Sequence, residues 1–199
     1  MSRSLRFLVI ALLFTGLATT AFAQDIVPEL DIDGTSVHTA AFKVSEAQRQ
    51  KVQLLLSGYE YFPTVGELRQ VSPHVHVILI EIASDEGSLP GLRLRAVDAL
   101  GLLPQSDALA NFFEDKLVKT NLSTVFANHY INASMKVYRE AALPWVSPLL
   151  NHVNLQTQLT AVHAIGRFGG FDGRQLLNFH AQFARDALLH ENIERALSR

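Results

Sequence analysis

The sequence predicts an all-α solenoid of about three to four helix pairs, and three observations carry that prediction. First, the stretch Leu92–Leu103 (LRLRAVDALGLL) returns 65 residues later at Thr157–Phe168 (TQLTAVHAIGRF). Ala96, Val97, Ala99, Leu100 and Gly101 are answered there by Ala161, Val162, Ala164, Ile165 and Gly166. Second, Leu92, Ala96, Ala99, Leu100 and Leu103 recur at i, i+4, i+7, i+8 and i+11, which is one face of an α-helix. Third, each copy ends in helix breakers and is followed by a second apolar run. Gly101 and Pro104 close the first copy and Gly169-Gly170 the second. Gly101 is expected to end its helix in the left-handed conformation, where a residue without Cβ is favoured.

The unit is therefore helix, tight turn, helix, with Ser106 as N-cap of a second helix carrying Ala108, Leu109, Phe112, Phe113 and Leu117. Arg95-Ala-Val-Asp-Ala-Leu-Gly101, followed by a short Asp-containing turn and an apolar helix, resembles a HEAT repeat. The match is to the short bacterial type found in phycobilin-lyase-like proteins. An offset of 65 would hold two units of about 32 residues, shorter than the roughly 40–47 usual for HEAT and armadillo units. Glu140–Leu150 also resembles the second helix of such a unit and supplies the intervening copy. The resemblance implies a right-handed HEAT-like solenoid whose concave surface, formed by second helices, receives a partner. Asn111, Glu114, Gln175, Asn178 and Gln182 are the polar residues it would present.

Taken in order, residues 1–23 read as a cleavable targeting signal. Arg3 and Arg6 precede the apolar run Phe7–Leu17, and Ala21-Phe22-Ala23 is a small-x-small cleavage site. The mature chain would start at Gln24, without a stable membrane anchor, in the periplasm or outside the cell. Residues 24–44 are polar, acidic and punctuated by Pro28 and Gly34, an extended or mobile lead-in. Residues 45–199 form the helical-repeat domain. Ser45-Glu46-Ala47-Gln48 and Thr64-Val65-Gly66-Glu67 are capping boxes, opening helices that run to Gly58 and Val71. Between them, Tyr59, Tyr61 and Phe62 are expected to pack the first helices against the stack. Ser72-Pro73 opens Pro73–Ser84, which is ambiguous. Val75, Val77 and Leu79 alternate and Ile78, Ile80 and Ile82 are β-branched, as in a strand. The Ser-Pro start and the helical units that follow favour a buried helix.

After the loop Asp85–Pro90 and the first unit, Asn121–Tyr138 is a helix with Val125, Phe126, His129, Tyr130 and Ala133 along one face. Its partner Arg139–Asn151 is interrupted by Pro144 and Pro148. Asn154 caps Leu155–Phe168, and Asp172-Gly173-Arg174-Gln175 opens a helix expected to bury Leu176, Leu177, Phe183 and Ala184. Leu188–Leu197 is an amphipathic cap, which an open-ended array requires.

The chemistry of the chain is defined mostly by what is missing. Loss of Arg3 and Arg6 with the signal leaves 15 Lys+Arg against 19 Asp+Glu, with no basic stripe to attract nucleic acid or an anionic membrane. The absence of cysteine excludes disulfides, thiolate catalysis and Cys-based metal sites. Eight histidines are present, but His74 and His76 diverge on a helix, and His129, His152 and His163 lie on separate elements. Asp31-Ile32-Asp33-Gly34 lacks the further ligands of a calcium loop. No nucleophile elbow, phosphate loop or dinucleotide fingerprint occurs. His163 stands where the first copy has Asp98, so that variable position is a further candidate for partner contact. The expectation is an exported, non-enzymatic protein-binding or scaffolding module with a protein partner and no cofactor. A bilin-lyase-like ligand handler and a His-rich metal binder are the alternatives. N-terminal sequencing of the exported product is predicted to begin at Gln24; a chain still beginning at Met1 would overturn the signal reading.

Overall fold

The computed structural model describes residues 43–58, 60–118 and 122–198. The expectations for the signal, for the lead-in up to 42 and for Tyr59 lie outside the described residues. Among the described residues every regular element is helical and no strand occurs. None of their helices is long and apolar enough to cross a membrane.

Local hydrogen bonding starts the first two helices where the capping boxes place them. At the head of α1 (Glu46–Ser57) the Gln48 amide donates to Ser45 Oγ at 3.2 Å, and the Ser45 amide donates to Gln48 Oε1 at 3.3 Å. In α2 (Val65–Val71) the same exchange joins Thr64 and Glu67, at 3.3 and 2.8 Å. The ambiguous stretch is helical: α3 (Val75–Ser84) buries Val75, Ile78, Leu79, Ile82 and Ala83. Those positions are i, i+3, i+4, i+7 and i+8, so its branched residues meet a helical burial pattern that overrides their strand preference. The helix starts two residues later than Pro73, because Ser72 Oγ accepts from the His74 amide and forms a turn.

From α4 (Pro90–Leu100) onward the chain builds two layers. The first layer continues with α6 (Thr124–Tyr138), α8 (Leu155–Phe168) and α10 (Ala187–Leu197), each packed on the one before, while α3 packs on α4. These helices begin 34, 31 and 32 residues apart. The second layer is α5 (Asp107–Val118), the broken segment Arg139–Asn151 and α9 (Gly170–Ala181). In the middle segment a four-residue helix, α7 (Leu143–Val146), is flanked by 3₁₀ turns, as Pro144 and Pro148 dictate. α5 touches α7, and the turn Arg139–Ala142 touches α9, so the segment contacts both regular helices of its layer.

An aromatic chain fills the space between the layers. Phe112 and Phe113 each meet Tyr130, Phe113 meets Tyr138 at 6.3 Å, and Tyr138 meets Trp145 edge-on at 5.3 Å. The Tyr138 hydroxyl donates to the Ser106 carbonyl at 2.6 Å and accepts from the Ser106 amide at 3.2 Å, tying the α4–α5 turn to the end of α6. Ser106 in turn accepts from the Leu109 amide at 3.4 Å, the capping role read from the sequence.

The repeated glycines do something other than expected. Gly101 has φ −65° and ψ −4°, so it is not in the left-handed region. A Cβ there would lie 3.1 Å from the Cα and Cβ of Ala133 on α6. Gly166 lies inside α8, and its Cβ would come 2.7 Å from the Cβ of Ala196 on α10. Each glycine stands eleven residues after the first residue of its helix, and each facing alanine nine. The glycines allow successive first-layer helices to touch backbone to backbone. Positive φ occurs instead at Gly170 (φ +56°) and Arg139 (φ +51°). A Cβ on Gly170 would collide with the Glu140 carboxylate, which accepts from the Phe171 amide at 3.2 Å and caps α9 across the layer. That interaction starts α9 two residues before the expected Asp172.

Four further expectations are corrected. Val125 is 55% exposed, because α6 turns Ala127, Tyr130, Ile131, Ala133, Ser134 and Met135 inward instead. Ala108 is exposed in the first turn of α5. Tyr61 and Phe62 are exposed, although Phe62 lies under the Arg95 guanidinium, whose N–H also reaches the Tyr61 carbonyl. Phe183 is 62% exposed, just beyond the end of α9.

Gly166→Ala is predicted to destabilise by about 1–3 kcal/mol despite alanine's higher helix propensity, since the added methyl overpacks the α8–α10 contact. Gly91→Ala, whose Cβ would meet nothing within 4 Å, should be neutral or slightly stabilising. Thermal melts of the two variants check the contrast, with each kcal/mol moving Tm by roughly 2–4 °C.

Candidate interaction surface

On the outward face of α9 the expected polar residues meet unexpected apolar ones. The helix anchors itself through Gly173 and Leu177, both buried, with Leu176 partly so. Gly173 approaches α8 so closely that a Cβ would lie 3.1 Å from the Ile165 carbonyl oxygen and Cγ2. With that side committed, Gln175, Asn178 and Gln182 are turned to solvent. Beside them stand Phe171, Phe179 and Phe183, exposed by 67, 61 and 62%. The Phe179 and Phe183 rings pack on each other at 5.1 Å. A face of rigid aromatics next to amides has the composition of a protein contact surface, with apolar anchors beside adaptable hydrogen-bonding groups.

The remaining predicted residues are exposed but not gathered with these. Asn111 and Glu114 lie on α5, with the Arg139–Asn151 segment as the intervening second-layer element. His163 lies on α8 in the first layer, in an exposed stripe with Gln156 and Arg167. From the sequence Phe183 is expected to be buried with Leu176 and Leu177, and nothing in the local pattern singles out Phe171 or Phe179. Only the capping of α9 by Glu140 and its seating through Gly173 set the rotation that turns them outward.

The position shared by Asp98 and His163 separates in role. Asp98 Oδ1 lies 2.7 Å from His129 Nδ1, joining α4 to α6, and both side chains are about one-third exposed, at 39 and 33%. The carboxylate raises the His129 pKa above its ordinary value of 6.5, against an opposing push from partial burial. His76 moves the other way, lowered by burial and by the neighbouring His74. The described residues contain no group of three or more His, Asp or Glu side chains placed to hold a metal ion.

Because the folded-state pKa of His129 is raised, the pair contributes fully below pH 6.5 and is lost as pH rises through the folded value. Asp98→Asn is therefore predicted to lower Tm under acidic conditions and to converge on the parent chain as pH rises from about 6 to 8, by no more than about 1 kcal/mol for so exposed a pair. Paired melts across that range test it, and His76 cancels in the comparison. A difference independent of pH would show that the pair is not titrating.

No family model, curated protein or solved structure matches this chain.

Proposed function

We propose that the chain is an exported, non-enzymatic protein-binding or scaffolding module built from HEAT-like repeats, with the outward face of α9 as its contact surface. Support for the solenoid comes from the regular spacing of α4, α6, α8 and α10 and from the glycine–alanine crossing that recurs at the same helix positions. Support for export comes from the signal-like residues 1–23. The observation that carries the binding function is the exposure of Phe171, Phe179, Gln175 and Asn178 on α9 together with Gln182 and Phe183 just beyond its end.

Leaving three phenylalanines in water forgoes the stabilisation that burial of their rings would give. Partner association recovers it, and the amides supply direction. Second helices line the surface expected to receive a partner in a solenoid of this kind, and α9 belongs to that layer.

A Phe179→Ser/Phe183→Ser double variant should keep the helical circular dichroism and Tm of the parent, because both side chains are mostly exposed. In affinity capture from the native cell envelope it should retain at least about tenfold less of a partner held by the parent. Equal retention by both chains, or no specific retention by either, overturns the reading.

A further inference from the structure

We propose that a groove at the other end of the second layer binds a small apolar carboxylate, of the class of a medium-chain fatty acid. The groove encloses about 440 Å³ between the C-terminal end of α5, the start of α6 and the segment following α7. That is the scale of a small-molecule site, roughly 300–1,000 Å³. Its walls are apolar, with Leu117, Leu122, Ala127, Pro148 and Leu149 among them. The cause of the groove lies in the sequence: Pro144 and Pro148 break the second-layer segment into short turns. A segment so broken does not seal against the end of α5, and Val118 and Val153 are left 67 and 99% exposed at the rim.

The polar groups along the groove select the ligand. Among the described residues they are Trp145, Asn151 and His152, and no Asp or Glu is among the described lining residues. His152 Nδ1 accepts from the Asn154 amide at 3.0 Å, so the neutral ring carries its proton on Nε2 and offers a donor. The Trp145 indole is donor-only; it makes no hydrogen bond to a described residue and is not among the enclosed unpaired atoms. Two ring N–H donors and an amide on an apolar trough suit an apolar chain ending in an acceptor. A carboxylate is the strongest such acceptor, since a charge-assisted hydrogen bond is roughly twice as strong as a neutral one. An alkylammonium ligand would find only the Asn151 amide oxygen as a side-chain acceptor among the described lining residues, while both ring N–H groups would go unmatched. The α9 face contributes nothing to this groove, so the proposal stands independently of the protein-binding reading.

Trp145 is the only tryptophan in the chain, so intrinsic fluorescence reports on the groove directly. The full chain is titrated with sodium decanoate, 1-decanol and decylamine, all below micelle formation. The expected result is a saturable change in Trp145 emission with decanoate, and binding about tenfold weaker for the alcohol and the amine. His152→Leu keeps the apolar wall and removes one donor, and should weaken decanoate several-fold while leaving decanol unchanged. Leu149→Phe, which fills the trough without adding a charge or a donor, should abolish the response to all three, and circular dichroism confirms that each variant is folded. No saturable response to decanoate, equal binding of decanoate and decanol, or an unaltered affinity in His152→Leu each overturns the proposal.

Discussion

The close crossing of successive first-layer helices is the constraint on which the remaining structure depends. Gly101 opposite Ala133 and Gly166 opposite Ala196 let backbones meet at distances that a Cβ on Gly166 would forbid and one on Gly101 would crowd. At such crossings the neighbouring apolar residues, Ala96, Val97, Ala99 and Leu100 on α4 and their counterparts on α8, are fully or nearly fully buried. Small residues surrender their own contact area so that larger neighbours interdigitate, and close-packed interiors reward this through many weak dispersion contacts. The regular spacing of the first layer is the sequence trace of that requirement.

The second layer is built on looser rules, and for that reason it carries both candidate sites. Between the regular helices α5 and α9 lies a segment that two prolines divide into turns. Its first turn supplies Glu140, whose carboxylate reaches the head of α9 and fixes where that helix begins. Its last turn leaves the apolar trough beside Trp145. One irregular element therefore sets the rotation of the aromatic face and shapes the groove, while the first layer holds both in place.

Much of the local structure was legible in the chain. The reciprocal Ser45–Gln48 and Thr64–Glu67 caps, the Asn154 cap and the prolines at 144 and 148 act within three or four residues, so their identity and spacing suffice. The paired copies of the AxxAΦG pattern, in which Φ is Leu or Ile, marked the first-layer helices for a similar reason. Pro73–Ser84 was less legible, because strand propensity and helical burial compete there and only the partners α1 and α4 decide. Candidate-site residues were legible as exposed amides, but their phenylalanine neighbours were not. An aromatic four residues from another aromatic is compatible with either face of a helix until the helix's rotation is known.

The sequence by itself determined the all-helical class, the capped starts of α1, α2 and α8 and the spacing of the first layer, because hydrogen-bond caps, helix breakers and apolar periodicity are local properties. Only the tertiary structure decided that Gly101 and Gly166 serve helix contact rather than helix ending, that Asp98 pairs with His129, and that Phe179 and Phe183 face outward. Each of these depends on a residue some 30 positions away, such as Ala133 for Gly101, Asp98 for His129 and Glu140 for α9. Distance along the chain carries no signature of such a contact until the layers are in place.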